Sequence, residues 1–206
     1  MIQEEKRYIY IVFSSTNTGM GKLIRLLTHN QFNHVSLAFE ENLEVMYSFA
    51  RYHINAPLVG GFVEEYPERF LVTHQDIFIK ICKVPLKKER YDEVRKVVLN
   101  FLCRREEIVY NSFSALTSLV HKSIYIKNAY TCVEFIAFIL QMEKVTTISE
   151  LEEGLREYEI YSGTYGNITK FREDTQGDFL NRQSFQHVIF CTARHFRTLL
   201  GRVFLS

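Results

Sequence analysis

The tetrapeptide Thr131-Cys-Val-Glu134 precedes an apolar run and has the pattern of a helix capping box. In such a box the threonine hydroxyl and the glutamate carboxylate each accept from a backbone N–H group, so Cys132 is predicted to be the first helical residue. The positive end of the helix dipole at that position favours a thiolate over a thiol, and the unpaired N–H groups could bind an oxyanion. Cys132 is therefore a candidate nucleophile. The alternative is a small buried apolar residue, the usual role of a free cysteine.

A cysteine nucleophile needs a base, and the chain contains seven histidines. His34 begins a predicted strand and has apolar neighbours. A strand is a rigid element that can hold an imidazole in a cleft, so His34 is the candidate general base. The alternative is a structural histidine whose ring nitrogens are satisfied by the core.

The overall composition excludes several classes of function. Basic and acidic residues nearly balance, at 25 against 24, so no global field attracts nucleic acid, a membrane or an acidic substrate. With 47% apolar and 24% charged residues, the chain is predicted to be globular rather than disordered. We expect no nucleic-acid partner.

The apolar runs and the cysteines indicate the cellular compartment in which the protein is expected. The longest apolar runs, 8–13 and 135–140, are much shorter than the ~20 residues of a membrane-spanning helix. The N-terminal segment carries two acids where a secretory signal is positively charged, which predicts a cytoplasmic protein. The four cysteines form no Cys-x-x-Cys pair, so no metal site is indicated, and no cofactor is expected.

Apolar segments early in the chain predict strands at residues 8–13, 34–39, 44–50, 58–64 and 77–84. The second and third flank the polar stretch 40–43, which has the length of a hairpin turn. With a three-residue loop, positions 34, 36 and 38 share a face with positions 50, 48 and 46. Ser48 then lies on the side of His34, whereas a two-residue loop would place Tyr47 and Phe49 there.

From Lys87 the apolar residues recur every three or four positions, which predicts an amphipathic helix through Leu102. Further helices are predicted at 111–120 and 132–142, and from a second capping box, Ser149-Glu-Leu-Glu152, to near residue 158. Strands first and helices later predict an α+β fold.

The last segment, 179–206, has four arginines and no acidic residue. We expect a helix over 188–205 that docks on the same domain, with protein covering its apolar side, which includes Ile189, Phe196, Leu200 and Val203. Weak contact with a membrane surface, or with a partner, is the alternative.

His187, Cys191 and His195 recur every four residues in this segment, so on one helix they would form a stripe that could ligate zinc. The remaining ligands of a zinc site are absent from the pattern. A packed helix face is therefore the preferred interpretation of the stripe.

Several segments together resemble the circularly permuted papain-like proteins related to the NlpC peptidases, in the YiiX/YebB-like branch. These segments are Leu23-Ile-Arg-Leu-Leu-Thr28, Asn33-His-Val-Ser-Leu-Ala38, Met46-Tyr-Ser-Phe-Ala-Arg51, Gly60-Gly-Phe-Val63 and Tyr130-Thr-Cys-Val-Glu-Phe135. The resemblance spans about residues 7–163. His34 precedes Cys132, as in the permuted members, whereas the cysteine comes first in most papain-like enzymes.

The resemblance implies a permuted papain-like domain over residues 1–163 and a C-terminal extension over 164–206. An antiparallel sheet carrying His34 would pack against a helix that presents Cys132. The third catalytic position of the family usually lies on the strand after the histidine, and the hairpin alignment brings Ser48 there. Family members often have His, Glu, Asn or Gln at that position, so this serine is a departure.

Two functions are compatible with these features. The first is a cysteine hydrolase, a peptidase or amidase, or an acyltransferase acting on peptide or amide bonds such as those of cell-wall peptide fragments, with Cys132, His34 and Ser48 as catalytic residues. The second is a weakly active or inactive module that holds a peptide, amino acid or lipid group in the same cleft. Ser48, a weak orienting residue, favours the second.

Overall fold

A computed structural model describes residues 6–17, 25–26, 30–70, 76–117, 123–168, 179 and 181–203. The described chain forms one sheet of eight strands, all antiparallel to their neighbours except the last pair at one edge. Helices are packed against this sheet. The α+β class predicted from the sequence is confirmed.

The strands are β1 (Lys6–Ser14), β2 (His34–Ala38), β3 (Met46–Arg51), β4 (Gly60–Glu65), β5 (Phe78–Lys87), β6 (Val109–Tyr110), β7 (Ala129–Tyr130) and β8 (Glu159–Thr164). Their order across the sheet is β7-β6-β4-β3-β2-β1-β5-β8. The five early strands were predicted. The three later strands were not, because two of them are only two residues long and the third is exposed.

Strand β1 is apolar on both faces because both of its faces are covered. Ile9, Ile11 and Phe13 point into the larger core, which also contains helix side chains. Tyr10 and Val12 point into a second, smaller core on the opposite face. An unbroken apolar run is the expected pattern for a strand buried on both sides.

The described residues form five α-helices: α1 (Lys88–Cys103), α2 (Ser112–Thr117), α3 (Cys132–Leu140), α4 (Ile148–Gly154) and α5 (Phe185–Val203). Short 3-10 turns occupy Pro67–Phe70, Arg156–Tyr158 and Tyr165–Asn167. Helix α3 packs on β2 and β3. Phe135 of α3 lies in the larger core against Phe49 and Phe62 of the sheet, with ring centroids 5.7 and 5.2 Å away.

Helix α4 begins earlier than the sequence pattern indicated. Its N-cap is Thr147, whose hydroxyl accepts from the Glu150 amide, and the Glu150 carboxylate bonds the Thr147 amide in return. The predicted box that begins at Ser149 was therefore wrong. Both tetrapeptides have the same spacing, and the choice between them depends on where the helix packs.

Helix α5 docks through one side only. His195 and Leu199 are buried against α2 and β6, and Arg202 donates to the carbonyl oxygens of Asn128 and Glu107. The helix itself was predicted, but the prediction that protein covers its apolar side was wrong. Ile189, Leu200 and Val203 are exposed, whereas Phe196 is half-buried and packs against the Phe113 ring.

Parts of the sequence prediction fall outside the described residues. Of segment 23–28, which contributes to the family resemblance, the structure describes only 25–26. The end of the predicted helix 111–120 and the last residues of the chain are likewise not described.

Gly60→Ala tests how closely β3 and β4 approach. A Cβ at position 60 would lie 2.3 Å from the backbone oxygen of Ala50, so we expect the free energy of unfolding to fall by about 1–3 kcal/mol. Gly201→Ala is the control, because nothing lies within 4 Å of a Cβ there and alanine favours a helix by about 0.5–1 kcal/mol. Urea unfolding should move in opposite directions for the two variants. Equal midpoints would contradict the strand packing described here.

Candidate functional site

The start of β2 is held by side-chain bonds to the backbone of a neighbouring segment. The Asn33 amide group accepts from Thr16 N at 2.8 Å and donates to Thr16 O at 3.2 Å. The next residue, His34, pairs with Ser14 of β1. The imidazole therefore projects from a backbone position that is held against the end of β1.

The start of α3 is braced in a similar way. The predicted capping box is present: Glu134 N donates to the Thr131 hydroxyl at 3.1 Å, and Thr131 N donates to the Glu134 carboxylate at 2.7 Å. The same carboxylate accepts from the Asn111 side chain at 3.4 Å and from the Ser123 hydroxyl. Cys132 is the first residue of the helix, as the sequence predicted.

The structure brings Cys132 and His34 together. Cys132 lies near enough to the imidazole to raise the pKa of His34, and both residues are largely buried, with 7% and 8% of their surfaces exposed. The Nε2 side of the imidazole faces Glu65, the last residue of β4. His34 Nε2 lies 2.9 and 3.1 Å from the two Glu65 carboxylate oxygens, so Nδ1 is the ring nitrogen that is not bonded to this carboxylate.

Glu65 is almost wholly buried, and three groups satisfy its carboxylate. Besides His34, the Ser36 hydroxyl donates to it at 2.6 Å, and Arg69 Nε lies 3.2 Å from Oε1. Arg69 in turn donates to the carbonyl oxygen of Arg51, and its guanidinium lies 4.0 Å from the centre of the Phe179 ring. The carboxylate is thus fixed by donors on β2 and by a cation that the C-terminal segment covers.

The charges of this cluster set the protonation state of His34. Burial by itself lowers the pKa of the imidazole, but the Glu65 charge, together with hydrogen bonding of the protonated ring toward Cys132 and Glu65, raises it to about 10. Burial would raise the pKa of Glu65, but His34, Arg69 and Ser36 lower it to about 2. Near neutral pH the site therefore contains an imidazolium held between a carboxylate and a cysteine.

Ser48 lies on the expected face but does not contact His34. The register pairs Leu37 with Tyr47 and Ala38 with Met46, and its continuation places Ser48 opposite Ser36, on the His34 side of the sheet. The Ser48 side chain is fully buried, and its hydroxyl has no hydrogen-bond partner among the described residues. The Ser48 hydroxyl therefore does not accept from the imidazole, whose Nε2 is bonded to Glu65.

Glu65, Arg69 and Ser36 were missed by sequence reasoning. Ser36 and His34 share a face of β2 by simple alternation, and that signal was available. Glu65 is one residue beyond the predicted strand 58–64 and two strands away from His34. Its role depends on strand pairing, which the local pattern does not contain.

A cavity of about 1310 Å³ lies beside this cluster, between β4 and α5. Arg69 and Phe179 line it, as do His187, Cys191 and His195, the stripe for which a packed helix face was preferred to a zinc site; Cys132 and His34 do not. His195 Nε2 lies 3.1 Å from the Ser112 hydroxyl, and Cys191 Sγ lies 3.3 Å from His187 Nε2. Within the described ranges, no group of three or more His, Cys, Asp or Glu side chains could hold a metal ion.

Comparison with protein-family models, with curated proteins and with solved structures found no match for this chain. The case for a function therefore depends on the geometry of the site itself.

The His34–Glu65 pair predicts how stability changes with pH. The raised pKa of His34 contributes stability that is complete below pH 6.5 and is lost as the pH rises to about 10. The lowered pKa of Glu65 contributes stability that is complete above pH 4.5 and is lost as the pH falls to about 2. Urea unfolding at a series of pH values should show maximal stability between pH 4.5 and 6.5.

Glu65→Gln should lower the free energy of unfolding near pH 6 by about 3–5 kcal/mol, because His34 and Arg69 lose the carboxylate that pairs with their charges. It should also flatten the acid and the alkaline limb of the profile of stability against pH. Its neighbour Glu64 is exposed on the same strand, so Glu64→Gln is the matched control and should leave the profile unchanged. Identical profiles for Glu65→Gln and the unmodified protein would contradict the buried ion pair.

Proposed function

We propose that the protein is a cysteine hydrolase or acyltransferase that forms a thioester on Cys132. The observation that carries this proposal is the arrangement of one imidazolium, His34, between a cysteine at a helix N-terminus and a buried carboxylate. A thiolate is stabilised by an adjacent imidazolium and by the amide dipoles of a helix start, and both are present here. Peptide or amide bonds, such as those of cell-wall peptide fragments, are the proposed substrate class.

The chemistry follows from the positions of these groups. The Cys132 thiolate attacks the carbonyl carbon of the substrate, and the carbonyl oxygen becomes an oxyanion. The capping box uses the amides of Thr131 and Glu134, so the amides of Cys132 and Val133 in the first turn are available to the oxyanion. His34 then donates a proton from Nδ1 to the leaving amine as the carbon–nitrogen bond breaks.

The second half of the reaction regenerates the enzyme. His34, now neutral, takes a proton from water or from an acceptor nucleophile, which attacks the thioester carbonyl and releases the thiolate. Water gives a carboxylic acid, and an acceptor amine or alcohol gives a transferred acyl group. His34 is thus a general acid before it is a general base, because its pKa is raised well above neutral pH in the resting site.

Glu65 fills the orienting role that the sequence suggested for Ser48. A carboxylate that accepts from Nε2 fixes the orientation of the imidazole and stabilises its positive charge better than a neutral hydroxyl does. Glutamate is also among the residue types that the family resemblance implies at the third position, although Glu65 lies one strand further along than expected. The main reason for preferring an inactive binding module, a weak orienting residue, is thereby removed.

We also propose that the fold is the circularly permuted papain-like arrangement. Support comes from the chain order, in which the strands bearing His34 and Glu65 precede the helix that bears Cys132. It also comes from the packing of α3 directly on β2 and β3. A fold of this kind explains how residues far apart in sequence form one compact site.

The proposal is tested by trapping the acyl-enzyme. Incubation with a p-nitrophenyl ester should place an acyl group on Cys132, located by peptide mass spectrometry. The exposed Cys103 should be acylated much more slowly, and Cys82 hardly at all, because burial raises the pKa of the Cys82 thiol to about 12. Cys132→Ala and His34→Ala should each abolish the fast reaction.

The pH profile separates an ion pair from an ordinary thiol. Acylation of Cys132 should fall as the pH rises through about 10, where His34 loses its proton. Glu65→Gln should move this alkaline limb about 1–3 pH units lower, since an adjacent opposite charge is removed. Ser48→Ala is the control and should leave the limb in place. Equal labelling of Cys132 and Cys103, with a rate that only increases with pH, would overturn the proposed function.

A further inference from the structure

Helix α5 has three distinct sides. At about 100° per residue, the docking side falls in an arc of about 80° that contains Val188, Cys191, His195, Leu199 and Arg202. A second arc of similar width is apolar and contains Phe185, Ile189, Ala193, Phe196, Leu200 and Val203. A third arc contains Phe190, Arg194 and Arg197. Docking on the domain uses mainly the first of these sides, and Phe196 of the second side also packs against Phe113.

Large apolar side chains on the second and third arcs face away from the domain. The exposed fractions of Phe185, Phe190 and Ile189 are 78%, 63% and 54%, and Leu200 is also exposed. Single exposed apolar residues are ordinary, but a continuous group of them on one helix marks a surface that another phase or molecule covers.

This apolar surface continues beyond α5. The Phe113 ring of α2 packs 5.5 Å from the ring of Phe196, so α2 lies beside the apolar arc. Leu116, one turn further along α2, is more than half exposed. The exposed apolar residues Phe185, Ile189 and Leu200 of α5 form the surface that we call the α5 patch.

The charged side chains on α5 itself all have one sign. Arg194 and Arg197 are exposed on α5, and within the described residues neither guanidinium has a carboxylate partner. The sequence has no Asp or Glu between 181 and 203. Arg194 lines the cavity together with Glu106, while Arg197 does not line it. The surface is thus apolar with a basic border, which matches the interface of an anionic lipid bilayer.

We infer that α5 lies flat on an anionic membrane surface, with the α5 patch inserted among the lipid headgroups and acyl chains and the arginines at phosphate level. Among the described residues, no helix is long and apolar enough to cross a membrane, so this is contact with the surface rather than spanning. Long arginine side chains can place their charge at the headgroups while Phe190 between them enters the apolar layer. The inference is independent of the chemistry at Cys132.

The 206-residue sequence contains no tryptophan, which allows a direct measurement. Phe190→Trp introduces a single reporter, and its emission should shift to shorter wavelength on addition of vesicles made of equal parts of phosphatidylcholine and phosphatidylserine. Leu99→Trp, at a similarly exposed position on α1, should not shift. Vesicles of phosphatidylcholine alone should give a much weaker response.

Variants distinguish the apolar contribution to membrane binding from the electrostatic contribution. In vesicle co-sedimentation, Phe185→Ser with Ile189→Ser should reduce partitioning by at least about tenfold, since two large apolar side chains are lost from the interface. Arg194→Gln and Arg197→Gln should each reduce it by about fivefold. Raising the salt concentration from about 0.1 M to about 1 M shortens the Debye length from about 10 to 3 Å. This change should reduce partitioning about as much as the loss of one arginine does. Leu99→Ser is the matched control for the apolar change and should bind normally.

The positions changed are exposed, so circular dichroism should show the unmodified fold for each variant. No shift of the Phe190→Trp emission with anionic vesicles would overturn the inference. Binding that is indifferent to Arg194, Arg197 and salt would also overturn it. So would light scattering that shows a concentration-dependent dimer abolished by Phe185→Ser with Ile189→Ser, because a second copy would then be the occupant of the patch.

Discussion

The buried pair of His34 and Glu65 is the interaction on which the rest of the site depends. Neither side chain could be ionised in this position alone, because removing an isolated charge from water is too costly. Each charge is maintained by the other, and Ser36 and Arg69 complete the carboxylate's hydrogen bonds. The pair also links β2 to β4 across the small residues of the strand between them. A stable ion pair and an imidazolium beside Cys132 are therefore two consequences of one contact.

The site is assembled from rigid elements that meet at their ends. His34 begins a strand that is hydrogen-bonded on both sides, Glu65 ends another, and Cys132 begins a capped helix that packs on the sheet. Interlocking aromatic rings behind these elements leave little room for them to shift. Positions that differ by an ångström would weaken both the ion pair and the approach to the thiol, so the aromatic core serves the geometry of the site as well as stability.

The C-terminal segment contributes on two sides of the molecule. Phe179 covers the Arg69 guanidinium, which in turn holds Glu65, so the segment supports the charged cluster from behind. Further along, α5 docks through a narrow side centred on His195 and leaves most of its apolar surface uncovered. A helix that only completed the fold would bury that surface, because exposing large apolar side chains to water is unfavourable.

Local interactions were readable from the sequence by itself. The capping box around Cys132 spans four residues, and the strands that carry His34 and Ser48 follow from alternation, so the cysteine, the histidine and the face of Ser48 were all predicted. The partner of the histidine was decided only by the tertiary structure. Ser48 lies on the expected side of the sheet. However, the longer side chain of Glu65 reaches the imidazole, and it does so from a strand whose register depends on pairing between distant segments. A hydrogen-bond pattern within four residues can be predicted from the local sequence, whereas a buried ion pair forms only after the strands have aligned and excluded water.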